Sequence, residues 1–375
     1  MKTYFENGTL QEVPCFLDKS DMFYIQELEG DHSDKYVYPG DSIKYDLDTE
    51  LVSLYDRFRD AFFEDTNEYY RERRQLPIFV QEAGQDSECS LTAEVFRDWI
   101  QREEFTKTPN FYRHLYLVDC QFLIGTIQNL LSGMEDSFVN YYTRIANIGN
   151  GISPSAPDAT MYEMSQPVRC ISSLLESYFV KAYSILDMLC KIGHELQFTE
   201  KEFTSYKKIK SADLLWGARK KLQINDTAHT LFEKCELISM VESLRNEVVH
   251  NGAWELNPKV FIRFDNEIPV ERFMLFPDTS QGHLATVKNR KHFFGNGTKV
   301  NEVFPKIHIA YQQRLLNTVK LLNFTEAEHR LLSRRFAAEG MVLAKNEGLP
   351  IKPTDKVFDP CAGTGGLEQF LTDEE

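Results

Sequence analysis

The stretch 168–192 constrains this chain more than any other. Ile171, Leu175, Tyr178, Phe179, Ala182, Ile185, Leu186 and Leu189 recur on one face at helical spacing. Such a stripe must be buried against other elements, which points to a helical bundle. A second helix is expected over 231–251, which has no Pro or Gly and is followed by Gly252 as a stop. In it Leu237, Val241, Leu244 and Val248 form a core stripe, widened by Ile238, Met240 and Val249. Upstream, Leu51, Leu54, Tyr55, Phe58 and Phe62 mark one amphipathic helix, and 93–103 and 111–131 mark others. Short strands are expected at 259–264 and 272–276, with Gly295-Asn296-Gly297 as a turn and a closing helix at 303–322. The expected class is mainly α with a small β insertion.

Residues 1–48 read as extended and turn-rich, with Tyr36 to Asp41 as a breaker, and the pattern to 148 is helical. Gly149-Asn150-Gly151-Ile152-Ser153-Pro154-Ser155-Ala156-Pro157 has the composition of a linker. The expected division is therefore an acidic, mostly helical N-terminal domain over 1–148, a linker over 149–162, a helical domain over 163–325 and a tail over 326–375.

Of 375 residues, 42% are hydrophobic and 13% aromatic, which excludes a disordered chain. Net charge is −15, divided as −14 over 1–150 and −1 over 151–375. An acidic chain is not built for nonspecific nucleic-acid binding. The second half nevertheless carries local basic clusters: Lys207-Lys208-Ile209-Lys210, Arg219-Lys220-Lys221 and Lys288-Asn289-Arg290-Lys291-His292. Each suits a solvated face. The first two also lie close enough in sequence to the 231–251 helix to reach phosphates beside it. Seven scattered cysteines without Cys-x-x-Cys spacing argue for reduced thiols and against a zinc ribbon. The N-terminus lacks a signal-peptide pattern, and 122–131 is too short to span a bilayer. The expected location is cytoplasmic, with no membrane partner.

The chemistry concentrates in Arg245-Asn246-Glu247-Val248-Val249-His250. Imidazole exchanges a proton near neutral pH, guanidinium grips a phosphate with paired hydrogen bonds, and asparagine can position either group. At about 100° per residue, Glu242, Asn246 and His250 form one polar row, with Ser239 and Ser243 beside it. Arg245 falls inside the apolar arc and needs a partner or a route to solvent. A plainer reading pairs Arg245 with Glu242 or Glu247 and leaves His250 as a cation near a helix C-terminus.

Arg, four residues, then His, with Asn directly after the Arg and late in a long helix, resembles the catalytic signature of the HEPN superfamily. The long helix at 168–192 matches the first helix of those domains, and the resemblance covers roughly 163–325. It implies a helical-bundle domain and a homodimer with two motif helices facing across a cleft. It also implies a metal-independent endoribonuclease that cleaves RNA through 2′-OH attack, with no cofactor. Arg245, Asn246 and His250 would be catalytic. Such domains often place an acid on the first helix to hold the arginine, which makes Glu176 or Asp187 a candidate beside Glu242. Lys207, Lys208, Lys210, Arg219, Lys220 and Lys221 are candidate RNA contacts. Such activity needs restraint, so a defence or toxin role with an antitoxin or trigger partner is expected. The alternative is a HEPN-type interaction module without catalysis.

Near the end, Asp359-Pro360-Cys361-Ala362-Gly363-Thr364-Gly365-Gly366 resembles the cofactor loop of N6-adenine DNA methyltransferases. Only nine residues follow, and an Asn-Pro-Pro-Tyr-type motif is missing, so a doubly wound sheet cannot be built here. A restriction role would need a partner subunit supplying the rest of that fold.

Overall fold

The computed structural model describes residues 41–323 except 86, 225 and 226, together with four short strands upstream. Those strands form two antiparallel pairs, β1 (Lys2–Tyr4) with β2 (Leu10–Glu12) and β3 (Gln26–Glu27) with β4 (Tyr36–Val37). The tail expected over 326–375, with its glycine-rich segment, lies outside the described residues.

The first long helix, α1 (Asp41–Phe62), begins seven residues before the expected start. Short helices α2 (Thr66–Arg73), α3 (Phe79–Glu82), α4 (Ala93–Trp99) and α5 (Glu103–Thr106) follow. Asp65 and Thr92 cap α2 and α4, their side chains accepting the N–H of Asn67 and Val95. Then comes α6 (Phe111–Ile145), which starts where expected and runs 14 residues past the expected end at 131, and α7 (Gln166–Gln197), which opens with Pro167 in its first turn. Every residue of the expected α7 stripe is buried.

The motif helix α8 (Glu236–Asn251) starts five residues later than expected and ends at Gly252, whose φ of +95° is the left-handed C-cap that glycine adopts without strain. Residues 231–235 are drawn out of the helix by tertiary bonds. Thr318 Oγ1 accepts the Leu231 N–H, and Arg314 donates to the Thr230 carbonyl and to Glu233. After α8, a three-stranded antiparallel sheet orders β5 (Thr160–Glu163), β6 (Val260–Asp265) and β7 (Ile268–Phe273). A small hairpin, β8 (Thr279–Ser280) with β9 (His283–Leu284), precedes α9 (Val300–Asn323).

The architecture is mainly helical with a small β insertion. One hydrophobic core runs from Leu47 to Leu322 and takes in α1, α6, α7, α8 and α9. Residues 149–162, expected as a linker, connect α6 to α7, and these two helices pack against each other inside that shared core. The last of them enter β5, which pairs with β6. Aromatic rings fill the centre: Phe138, Tyr141, Tyr178 and Phe179 surround Phe304, and the Tyr311 hydroxyl donates to the Ala182 carbonyl at 2.6 Å. Truncating one such ring costs about 3–5 kcal/mol. A second, smaller cluster of Phe79, Val80, Ile100, Phe111 and Leu115 gathers the short helices around the start of α6. Among the described residues no helix is long and apolar enough to cross a membrane.

Candidate functional site on the motif helix

Leu237, Ile238, Met240, Val241 and Leu244 anchor α8 in the core, and the Trp254 indole donates to the Leu244 carbonyl at 3.2 Å. This fixes the rotation of the helix and hence the direction of its polar row. Val249, expected to widen the stripe, is 49% exposed. The residue turned inward at that end is Glu247, only 5% exposed, because it has polar partners waiting.

Arg245 is half-buried, its guanidinium carbon 4.6 Å from the centre of the Tyr183 ring on α7. Its Nη1 donates to Asn246 Oδ1 at 2.9 Å. Cation–π contact and an amide acceptor thus solve the placement of a cation in an apolar arc. Among the described residues no carboxylate lies within ion-pair distance of Arg245, so the pairing with Glu242 or Glu247 does not form. Asn246 is half-buried, and His250 is exposed one turn further on.

The candidate acids on α7 are committed elsewhere. Asp187 accepts the backbone N–H of Trp216 at 2.6 Å. Glu176 takes the backbone N–H of Trp254; burial raises its carboxyl above the ordinary value, and that bond opposes the rise. Asp187 instead fixes a 3-10 turn (Trp216–Lys221), and from this turn Arg219 stacks over the Trp216 ring at 4.3 Å. Tyr183 carries Arg245 on its ring and feels the charge of Arg219 as well. Burial pushes its phenol up, Asp187 and Glu242 push the same way, and Arg245 and Arg219 oppose them. Lys220 and Lys221 are exposed on the same turn. The Lys207–Lys210 cluster is spent locally: Lys207 donates to the Glu202 carbonyl, Lys208 pairs with Asp213 at 3.1 Å, and Lys210 pairs with Glu200 at 3.2 Å.

The other flank of the polar row is covered by residues 279–292. Gln281 and Gly282 both have positive φ, as a two-residue hairpin turn requires. Gly282 is needed there twice over, since a Cβ would stand 2.2 Å from the Glu236 carbonyl oxygen. Its N–H donates to Glu236 Oε1, and the Leu284 N–H donates to Ser243 Oγ, so the segment runs along α8. It ends where Glu247 accepts from Lys291 at 2.8 Å, meets His292 Nε2 at 3.0 Å and accepts from Asn251 at 3.0 Å. Burial acts to raise the Glu247 carboxyl, but these partners outweigh it and hold it below its ordinary value.

Counting from Arg245 at about 100° per residue, Asn246 lies at about 100°, His250 at about 140° and Glu247 at about 200°. Asn246 and His250 therefore occupy a strip bordered by the Arg245–Tyr183 pair on one side and the 279–292 segment on the other. The segment adds exposed Lys288 and Arg290. The strip offers an imidazole open to solvent and several cations at its edges, which suits a polyanion. Sequence reasoning missed Tyr183 and Trp216 as platforms and Glu247 as an anchor. Tyr183 follows Glu176 by seven residues on α7, a spacing that gives no sign of a partner on α8. Among the described residues no group of three or more His, Cys, Asp or Glu is placed to hold a metal ion.

Comparison with known protein families, with curated proteins and with solved structures gives no match for this chain.

Proposed function

We propose that the chain is a HEPN-type, metal-independent endoribonuclease, with Arg245, Asn246 and His250 as its catalytic set. The observation that carries this reading is the state of Arg245. It is held in place by Tyr183 and Asn246, yet among the described residues no carboxylate neutralises it, beside an imidazole open to solvent. A guanidinium positioned but not neutralised is suited to charge that develops on a phosphate.

In the proposed reaction the 2′-hydroxyl attacks its own phosphorus, leaving a 2′,3′-cyclic phosphate and a 5′-hydroxyl. His250 takes the proton from the 2′-hydroxyl or returns one to the departing 5′-oxygen. Both tasks need filling. A homodimer with facing α8 helices would supply a second His250, and His292, set by Glu247, is another imidazole at the same helix. Asn246 holds the guanidinium so that its remaining N–H groups meet the pentacoordinate phosphate. Arg219, Lys288 and Arg290 supply flanking charge for the strand. An effector role in defence or as a toxin, restrained by a partner, accords with such an activity.

A second reading, an interaction module, draws support from the local pairing of Lys208 and Lys210 and from the −15 net charge. Expression in growing cells separates the two. The nuclease slows growth, and Arg245→Ala with His250→Ala relieves the effect while the protein level stays constant. Growth slowed equally by both proteins would contradict the proposal.

A further inference from the structure

A cleft lies away from the motif helix. A cleft of about 710 Å³ opens between α1, α2, the end of α3 and α6, and none of its lining residues lies on α7 or α8. Its volume is within the range that holds small organic ligands. The most acidic half of the chain places two arginines in its wall.

These arginines differ. Arg59 is neutralised, paired with Asp56 at 2.6 Å and Asp60 at 2.8 Å. Arg73 has only neutral partners among the described residues: Nη1 donates to the Tyr69 hydroxyl and Nη2 to Gln81 Oε1 at 3.1 Å. Its neighbour Glu72 is turned inward to Asn110 and His114. A guanidinium has five N–H donors, so the described contacts leave most of its donors for a ligand. It is thus held by two side chains and left charged at the cleft wall.

The remaining walls fit the other parts of a nucleotide. Tyr70, half of it open to solvent, and Phe122 on α6 present ring surface on which a base can stack. Glu82 and Gln85, exposed at the rim, can accept from ribose hydroxyls, a task acidic residues perform in dinucleotide sites. We infer that this cleft binds a nucleoside monophosphate, with the phosphate on Arg73, the base against Tyr70 and Phe122, and the ribose toward Glu82. This does not depend on the ribonuclease reading.

The test is calorimetric titration of the full chain carrying Arg245→Ala and His250→Ala, so that the motif helix does not contribute. The probes are AMP, GMP, CMP and UMP, with adenosine and inorganic phosphate as partial ligands. The expected result is one-to-one binding of at least one nucleotide with Kd below about 1 mM, and weaker binding of both partial ligands. Affinity should drop at least about tenfold in Arg73→Gln. Gln121→Glu, which adds a carboxylate to the α6 wall away from the Arg73 contacts, should weaken binding similarly without lowering the melting temperature. No binding by any of the four nucleotides, adenosine binding as tightly as AMP, or affinity undiminished in Gln121→Glu would overturn the proposal.

Discussion

Asp187 accepts the backbone N–H of Trp216 at 2.6 Å, and this one bond ties the turn that carries Arg219 to the helix that carries Tyr183. The Arg219 side chain itself donates back to the Trp216 carbonyl at 3.2 Å. Asp187→Asn retains an acceptor but removes the charge. Asp187→Ala leaves the N–H unpaired and lets the turn move. Cleavage of a short RNA should fall about 100-fold in Asp187→Ala and far less in Asp187→Asn, since small misplacements of a site group cost that much. Equal activity in all three proteins would remove Arg219 from the site.

Tyr183 supports Arg245 with its ring rather than its hydroxyl. Tyr183→Phe should keep cleavage within about threefold of the parent, because the ring face that attracts the guanidinium is retained. Tyr183→Ala should lose about tenfold or more through a loosened Arg245. A steady-state assay on one RNA substrate checks both, and a large loss in Tyr183→Phe would show that the phenol itself takes part.

Glu247 links α8 to the 279–292 segment through Lys291 and His292. Glu247→Gln should lower stability at pH 7 by about 1.5–3 kcal/mol, the range for hydrogen bonds to a charged group. The folded carboxyl lies below its ordinary value, so its stabilisation is complete above about pH 5 and is lost as pH falls through the folded value. Urea unfolding of parent and variant should show a gap that closes in acid. A gap of the same size at pH 3 would mean that the contact is not ionic.

His308 gives the opposite kind of acid response, from inside the core. Its ring stacks on Phe138 at 4.4 Å and its Nδ1 meets the Tyr178 hydroxyl at 3.0 Å. Burial, aided by the nearby Lys44, lowers it to about 3. Below its ordinary value near 6.5 the unfolded chain takes up a proton that the fold refuses, so stability falls by up to about 1.4 kcal/mol per pH unit. Asp119, pushed up to about 6 by burial, acts the other way: the fold takes up a proton there before the unfolded chain does. Comparison with His308→Gln isolates the histidine. The parent should lose stability faster than the variant between pH 6 and 4, and parallel curves would contradict the buried neutral ring.

The helices and the motif were legible because their signals are local. The α7 stripe and the apolar arc of α8 repeat at helical spacing, and all eight stripe residues named for α7 are buried. What the sequence concealed depends on partners far along the chain. Residues 231–235 continue the helical pattern, yet bonds to Arg314 and Thr318 hold them outside the helix. Thr160–Glu163 reads as the end of a linker until β6 pairs with it. Within the site, Arg245, Asn246 and His250 stand out by type and spacing. The ring beneath Arg245 and the lysine and histidine on Glu247 come from 62 residues before and more than 40 after, and no local pattern announces them.

The proposed reaction is cleavage of RNA by Arg245 and His250 without a metal. Its most direct test is incubation of purified protein with total RNA and with tRNA in EDTA, beside His250→Ala, followed by analysis of the new ends. Fragments with 2′,3′-cyclic phosphate and 5′-hydroxyl termini are expected from the parent, and none from His250→Ala. Intact RNA with both proteins, or the same fragments from both, would contradict it.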